Sequence, residues 1–410
     1  MTLSMLLVVA YVFATRPNEL AGDQFEYDLQ GRFFDIGQWW WTTTPFGDAH
    51  ATAWKAPLYP AWVGFWYEVL GPSPLRVGLV QSLLAPVTVL LSWLLARRLF
   101  SPAVAIATAV VVAAFPLIWE YYGLLYSEAL AVPLTVLAFV LFLGRRPTPG
   151  IVAALGVVMG LSLLLRPTSV FLLAGIAAAF VVAIGWRRGL VWTAGVVAVA
   201  ALVVAPWTIR NAIVLDGFVP ISVQDGAAYG TFNDESANDP LNPYAWRAVL
   251  QEPPEVLARG EPVPEPELRS ELQDFAFDYI RDHPAAVPKA FFWNGLSRFW
   301  DVRRPARAMD EVDFQGRSSL VTGAGLAMYY VLLPLALWGL WQNRRRREIV
   351  WPVLAMAVAA SVVFTVVATT RYRAPLEPLI VMLACAAVAG RYLDRDGSSS
   401  TKPQGTIPST

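Results

Sequence analysis

The feature that most constrains this chain is a succession of apolar runs, each near the length that crosses a bilayer. A helix rises about 1.5 Å per residue, so about 20 apolar residues span the hydrocarbon layer. Runs of this kind read as spans at 76–95, 104–118, 128–143, 151–165, 168–186, 190–207, 320–341, 349–369 and 375–392. A shorter run, 3–14, precedes them. It reads as a first span whose start lies upstream of Met1, or as a signal peptide. Val12-Phe13-Ala14 loosely resembles a cleavage site, but a basic leading segment is missing. Taken as a span, it makes about ten, an all-α polytopic membrane protein.

Composition agrees. The chain is 56% apolar and only 15% charged, where a soluble domain carries about a quarter charged residues. Net charge is zero, so nothing points to nucleic acid or an acidic partner. The single cysteine, Cys385, has no internal disulfide partner, and the two histidines, His50 and His283, are far apart. Neither a disulfide framework nor a histidine-rich metal site is expected. Basic residues are nearly all arginine, the lysines being Lys55, Lys289 and Lys402. This Arg-, Ala- and Val-rich usage suggests a GC-rich bacterial genome.

The arginines orient the bundle. Arg97-Arg98, Arg145-Arg146, Arg187-Arg188 and 344–347 all follow even-numbered spans. They fall on one side, which the positive-inside rule makes cytoplasmic. Both termini are then cytoplasmic, and two segments, 15–75 and 208–319, lie outside. The expected organisation is a transmembrane module over 1–207 carrying the first outer loop, the outer segment 208–319, C-terminal spans over 320–392, and a Ser/Thr/Pro/Gly-rich tail over 393–410 with no core to join. The tight Ser101-Pro102 connection makes 104–118 the weakest of the spans.

An acid stands where a membrane protein rarely needs one. Gly22-Asp23-Gln24-Phe25-Glu26-Tyr27-Asp28 follows the first apolar run. Asp23, Glu26, Tyr27 and Gln30 share a face if this stretch is helical. One account makes Asp23 an N-cap with Glu26 as its capping-box partner. The other makes Asp23 a base, its carboxylate partly desolvated at the bundle mouth. Trp39-Trp40-Trp41 and the aromatics through Tyr67 suit the headgroup level. Lys55, Arg166, Arg210, Arg371 and Arg373 break the basic pattern by lying at outer ends. They can hold a lipid phosphate or snorkel to ordinary headgroups. Glu120 and Glu128 flank Tyr121-Tyr122. Glu128 opens a span at the membrane boundary, where ionisable groups tend to be functional, although the helix dipole with a Ser127 cap also accounts for it. Tyr122 is a further candidate for substrate contact. In the outer segment, 218–222 reads as a short strand, 253–266 as irregular and 271–283 as a helix ended by Pro284. A segment this long is expected to cap the bundle and help choose an acceptor.

The series of motifs resembles the GT-C glycosyltransferases, in the branch holding protein O-mannosyltransferases and lipid A aminoarabinose transferases (glycosyltransferase family 39-like). The matching pieces run in order: Gly22-Asp23 with Tyr27, Lys55-Ala56-Pro57-Leu58-Tyr59-Pro60, Arg97-Arg98-Leu99-Phe100, and Ser127-Glu128-Ala129-Leu130. Gly160-Leu161 with Leu165-Arg166-Pro167-Thr168, then Pro206-Trp207-Thr208-Ile209-Arg210-Asn211, and Arg371-Tyr372-Arg373-Ala374-Pro375-Leu376-Glu377-Pro378 complete them. The resemblance implies transfer of a sugar from a polyprenyl-phosphate donor to an acceptor hydroxyl at the outer face of the cytoplasmic membrane. Asp23 matches the first-loop catalytic Asp and Lys55 a basic residue that meets the donor phosphate. Tyr27, Tyr122, Glu128, Arg210, Arg371 and Arg373 are the further expected substrate contacts. Protein mannosyltransferases carry Asp-Glu at the first-loop motif. Here Gln24 follows Asp23, which argues against protein mannosylation.

Direct displacement at the anomeric carbon needs one base and a cation for the leaving phosphate, with inversion as the outcome. It needs no acid–base pair of the glycosidase kind. No cofactor or metal is expected. The acceptor is a glycan, a lipid or a protein. The competing readings are a secondary transporter, whose paired interrupted spans are not evident, and a ligase or polymerase moving a whole glycan from a diphosphate lipid.

Overall fold

The computed structural model describes residues 1–15, 20–43, 49–246, 263–312 and 314–397, with side chains omitted for 225–227 and 390–397. Every apolar run becomes a helix. In chain order these helices are α1 (Thr2–Thr15), α4 (Pro74–Gln81) with α5 (Leu84–Leu99), α6 (Pro102–Ala114), α8 (Glu128–Phe142), α9 (Pro149–Leu165), α10 (Leu172–Ile184) and α11 (Trp186–Val214). After the outer segment come α16 (Ser319–Gln342), α17 (Arg347–Val363) and α18 (Glu377–Gly397). Among the described residues, five stretches are long and apolar enough to cross a membrane: Pro74–Leu99, Pro167–Ile184, Trp186–Val214, Ser319–Gln342 and Thr370–Ala389. The bent pair α6 plus Pro116–Gly123 makes six. The chain is an all-α membrane protein.

The span expected over 104–118 breaks. Its helix ends at Ala114, and the chain turns 64° before Pro116–Gly123. The cause is Pro116, which lacks an N–H and drives Phe115 out of the helical region, to φ −79° and ψ 111°. The short helix α7 (Pro116–Trp119) and a 3₁₀ turn, Glu120–Gly123, then run through the interior. Glu120, Tyr121 and Tyr122 are thereby fully buried.

The first outer loop holds α2 (Asp23–Asp35) and α3 (Leu58–Leu70), packed on each other. Gly64 of α3 lets Phe34 of α2 lie against its backbone, where a Cβ would come within 2.3 Å of that ring. Between them β1 (Trp41–Thr43) and β2 (Ala49–Ala51) pair antiparallel, with Thr42 opposite His50.

In the outer segment the described α-helices are α12 (Asp234–Ala237), α13 (Glu265–Asp282), α14 (Ala286–Ala290) and α15 (Pro305–Met309), with a 3₁₀ helix at Val223–Gly230 and a π-helical stretch at Phe291–Arg298. The helix expected at 271–283 thus begins six residues earlier, after Pro264. The irregular stretch expected at 253–266 lies outside the described residues up to 262. Residues 218–222 form no strand. Their carbonyls are taken by side chains of α11 instead: Asn211 Nδ2 donates to Val219 O at 3.0 Å, Thr208 Oγ1 to Pro220 O at 2.7 Å, and Trp207 Nε1 to Ile221 O at 2.6 Å. With those acceptors satisfied, no partner strand is required.

The two ends of the bundle differ in charge. At one end Arg98 donates to Val140 O at 2.5 Å and Leu143 O at 2.6 Å, and Arg346 donates to Leu99 O at 2.7 Å. These bonds gather two of the basic clusters at the C-terminal ends of α5 and α8, and Arg145-Arg146 follows α8 directly. Helix α8 runs 15 residues from Glu128 to Phe142, about 22 Å, so Glu128 stands at the opposite end.

Candidate active site

At that opposite end three carboxylates and three cations alternate in a chain. Glu26 Oε2 lies 2.8 Å from Lys55 Nζ, and Lys55 Nζ donates to Asp23 Oδ1 at 2.7 Å. Asp23 Oδ2 accepts from Arg371 Nη2. Arg371 Nε lies 3.1 Å from Glu128 Oε1, which also pairs with Arg166. The order is Glu26, Lys55, Asp23, Arg371, Glu128, Arg166, and the sum of formal charges is zero. Lys55 and Arg371 are buried. The Asp23 side chain keeps 26% exposure and Glu26 38%, so the chain of charges opens to the outside at the α2 end.

Each member is set by local structure. Gly22 takes the left-handed φ of +56° that starts α2. It caps the helix with no side-chain bond, so Asp23 is the first helical residue and its carboxylate is spent on Lys55 and Arg371 rather than on a cap. The capping-box account of Asp23 and Glu26 does not hold. Tyr27 lies one turn on, with Lys55 Nζ 5.6 Å from its ring centre. Lys55 is carried by a loop pinned from three sides. Glu265 at the start of α13 accepts from Thr52 Oγ1 and from Ala53 N at 2.7 Å. Arg210 donates to Thr52 O at 3.0 Å. Val223 N donates to Ala53 O at 3.0 Å. Pro57 then opens α3, and its carbonyl accepts from Trp40 Nε1 at 3.2 Å. Trp40 also packs edge-on against Trp207. It therefore has a scaffolding role that headgroup anchoring does not cover, whereas Trp39 is half exposed.

Arg371 sits in a 3₁₀ turn, Thr370–Leu376. Its guanidinium lies over Tyr126, 4.4 Å from the ring centre, and beside Tyr372 at 5.0 Å. Arg166 stacks on the same Tyr372 at 4.6 Å. Flat cations on aromatic faces lose little of their attraction to desolvation.

The electrostatics follow from these distances. Burial alone would raise the Asp23 carboxyl, but Lys55 and Arg371 outweigh it and hold it far below the usual carboxylate range. Burial works against the Lys55 ammonium, and Asp23 with Glu26 overcomes it, so Lys55 stays charged well beyond its ordinary range. The Tyr27 phenol is pushed up to about 12, chiefly by burial.

Of the residues expected from the sequence, Asp23, Tyr27, Lys55, Glu128 and Arg371 come together. Arg210 lies beside the Lys55 loop and supports it. Tyr122 does not join them: its hydroxyl is buried against Thr88 at 2.6 Å. Nor does Arg373, which is fully buried with Glu377 at 2.6 Å and Asp301 at 2.9 Å, its guanidinium 3.6 Å from the Tyr329 ring centre. Two residues apart in a 3₁₀ turn, Arg371 and Arg373 point to different partners. Tyr126 enters the cluster without having been expected there, and Arg166, expected only as one of five outer cations, joins it through Glu128. The available signal was their adjacency to Pro167 and to Ser127-Glu128. Among the described residues no group of three or more His, Cys, Asp or Glu side chains is placed to hold a metal.

An apolar cavity of about 450 Å³ opens between α16, α17 and α18, lined by Trp300, Leu333, Met356, Leu376 and Ile380 among others. Leu376 closes the turn that carries Arg371.

Comparison with known proteins fits this architecture. Residues 54–209 match the family described as dolichyl-phosphate-mannose-protein mannosyltransferase. No curated protein matches the sequence at a significant level. The oligosaccharyltransferase of Archaeoglobus fulgidus tethered to an acceptor peptide superposes with TM-score 0.54 and 14% identity, over 96% of this chain and 49% of that one. The same organism's AglB with an inhibitory peptide and a dolichol-phosphate gives TM-score 0.51 and 16% identity, over 99% and 52%. ArnT from Cupriavidus metallidurans bound to undecaprenyl phosphate gives TM-score 0.46 and 14% identity, over 98% and 81%. The fold is that of the membrane portion these archaeal structures share with this chain. The chain spans about half the length of the archaeal oligosaccharyltransferases it matches.

Proposed function

We propose that this protein is a glycosyltransferase that moves a sugar from a polyprenyl-phosphate carrier to an acceptor hydroxyl at the outer face of the membrane. The observation that carries the reading is Asp23 held between Lys55 and Arg371 at the end of the bundle opposite its arginine clusters. One carboxylate beside two buried cations supplies the base and the positive charge that such a displacement needs.

In the proposed step the acceptor oxygen bonds to the anomeric carbon and its proton passes to Asp23. The bond from that carbon to the phosphate oxygen breaks, and the electron pair leaves with the phosphate. Lys55 and Arg371 take up the charge that develops there. Attack opposite the leaving group inverts the anomeric centre. Asp23 between two cations is a weak base. A donor phosphate beside Lys55 offsets their charge and raises the carboxyl toward its ordinary range. The apolar cavity next to the Arg371 turn has room for isoprene units of the carrier. The outer segment, anchored on the Lys55 loop through Glu265, serves as the cap that admits the acceptor. The reaction is proposed to need no metal, so a chelator leaves the rate unchanged.

The test is transfer by purified protein supplied with radiolabelled polyprenyl-phosphate sugars and a membrane extract. Label moving covalently to an acceptor supports the reading; uptake into vesicles without transfer supports a transporter and ends it. Within the assay, Asp23→Asn should lower kcat by orders of magnitude with donor affinity not weakened. Lys55→Ala should lower kcat/KM about ten- to a hundredfold, the equivalent of a charge-assisted bond of roughly 1.5–3 kcal/mol. Lys55→Arg should recover part of the loss. Equal kinetics in all three Lys55 forms would show that Lys55 does not hold the donor.

A further inference from the structure

Every cation in the outer cluster is already engaged. Lys55 faces Asp23 and Glu26, Arg371 faces Asp23 and Glu128, and Arg166 faces Glu128. A phosphate that arrives finds no unpaired positive charge, so some carboxylate must give way. The three carboxylates are not equally free to do so. The Glu128 side chain is 1% exposed and bridges two arginines. Asp23 bridges Lys55 and Arg371 and is anchored at the first residue of α2. Glu26 reaches one cation among the described residues, is the most exposed of the three, and stands at the open end of the series. Its longer side chain can swing to water without moving the helix.

We propose that Glu26 is a stand-in for the carrier phosphate: it occupies Lys55 in the resting protein and is displaced when a phosphate binds. The proposal rests on the reading of Lys55 as the phosphate ligand and adds a specificity residue to it. Glu26 sets how strongly an anion must bind to open the site. An anion with an apolar tail seated in the bundle can displace it, whereas a small anion or an ordinary headgroup gains too little. The groups facing Lys55 from each packed element are Asp23, Glu26 and Tyr27 of α2. Arg371, Tyr126 and Glu128 complete the surroundings of Asp23.

The sign of the expected effect separates this role from a catalytic or a purely structural one. Removing a residue that holds substrate weakens binding; removing a stand-in tightens it. The experiment measures binding of undecaprenyl phosphate to the full-length protein in detergent, for wild type, Glu26→Gln and Asp35→Asn. Asp35 ends the same helix and is exposed, so its variant removes the same charge away from Lys55. Glu26→Gln should bind about two- to fivefold more tightly, the range expected for release of one partly exposed ion pair. Asp35→Asn should match wild type. Glu26→Asp, whose carboxylate is drawn back from Nζ, should gain less than Glu26→Gln. The gain should vanish in a Lys55→Ala background. Unchanged or weaker binding by Glu26→Gln overturns the proposal, as does an equal gain in Asp35→Asn or a gain that persists without Lys55. If Lys55→Ala alone leaves undecaprenyl phosphate binding intact, the reading of Lys55 as the phosphate ligand fails as well, and this outcome is distinct from the others.

Discussion

Gln24 has no freedom to be an acid. It is buried, its Nε2 donates to Gln315 O at 3.0 Å, and its Oε1 accepts from Leu125 N at 3.3 Å. Tyr126 donates to the same Gln315 carbonyl at 2.5 Å. The amide ties the start of α2 to two distant segments and so fixes where Asp23 stands. An ionised carboxylate accepts but does not donate, so Gln24→Glu leaves a negative charge facing a carbonyl. The variant should lose about 1–3 kcal/mol. Protonation restores a donor, so its deficit should shrink as pH falls from 8 toward 5, while that of Gln24→Met should not. Thermal melts in detergent across that range check the sign. A second expectation concerns Asp23, which is active only when ionised. Its two cations hold it below the usual carboxylate range in the free protein, and a bound phosphate raises it. The acid limb of kcat/KM, which reports the free protein, should therefore lie at lower pH than the acid limb of kcat. Coincident limbs would show that donor binding does not change the base.

At the scale of elements, the turn Thr370–Leu376 is positioned by a second set of buried charges. Arg373 joins Asp301 and Glu377, Thr370 Oγ1 donates to Asp301 at 3.3 Å, and Arg303 reaches Asp301 at 3.2 Å and Glu311 at 2.8 Å. Asp301 has a left-handed φ of +47°, which Asp tolerates better than most residues. Breaking one partner of such a set leaves an uncompensated charge and costs about 3–5 kcal/mol. Arg373→Leu should thus lower thermal stability markedly. Arg373→Lys, which keeps the charge but not the fork, should fold and lose turnover through displacement of Arg371. A Lys variant with normal kcat would show that the turn holds its shape without the guanidinium. These elements also mark what the sequence reveals. Apolar runs announce helices because burial and length leave one local pattern. The break at Pro116 is local too, and Ser101-Pro102 pointed at that span. Lys55 was visible because lysine is rare here and it lies among outer aromatics. The pairing of Arg371 with Asp23 was not visible, since 348 positions separate them and no periodicity links them. Arg373 was misplaced for the same reason: its neighbours in the chain say nothing about Asp301.

For the whole molecule, the proposed function depends on which end faces out. The proposed chemistry uses a lipid-borne sugar and so requires Asp23 and Lys55 outside, with Arg97-Arg98, Arg145-Arg146 and 344–347 inside. The structure sets these groups at opposite ends of α8: Glu128 begins it among the outer charges, and Arg98 bonds to its last turn. By the positive-inside rule, the arginine end is proposed to face the cytoplasm. Two single cysteines in a Cys385→Ala background test it. Leu241 is exposed in the outer segment. Gly150 begins α9 just past Arg145-Arg146, and a side chain there meets nothing within 4 Å, so a cysteine fits at both sites without disturbing packing. An impermeant thiol reagent on intact cells should label Leu241→Cys and spare Gly150→Cys until the membrane is opened. The reverse pattern would put Asp23 on the cytoplasmic side, where nucleotide-linked sugars are at hand. A carrier phosphate at Lys55 would then have no role, however well the charges pair.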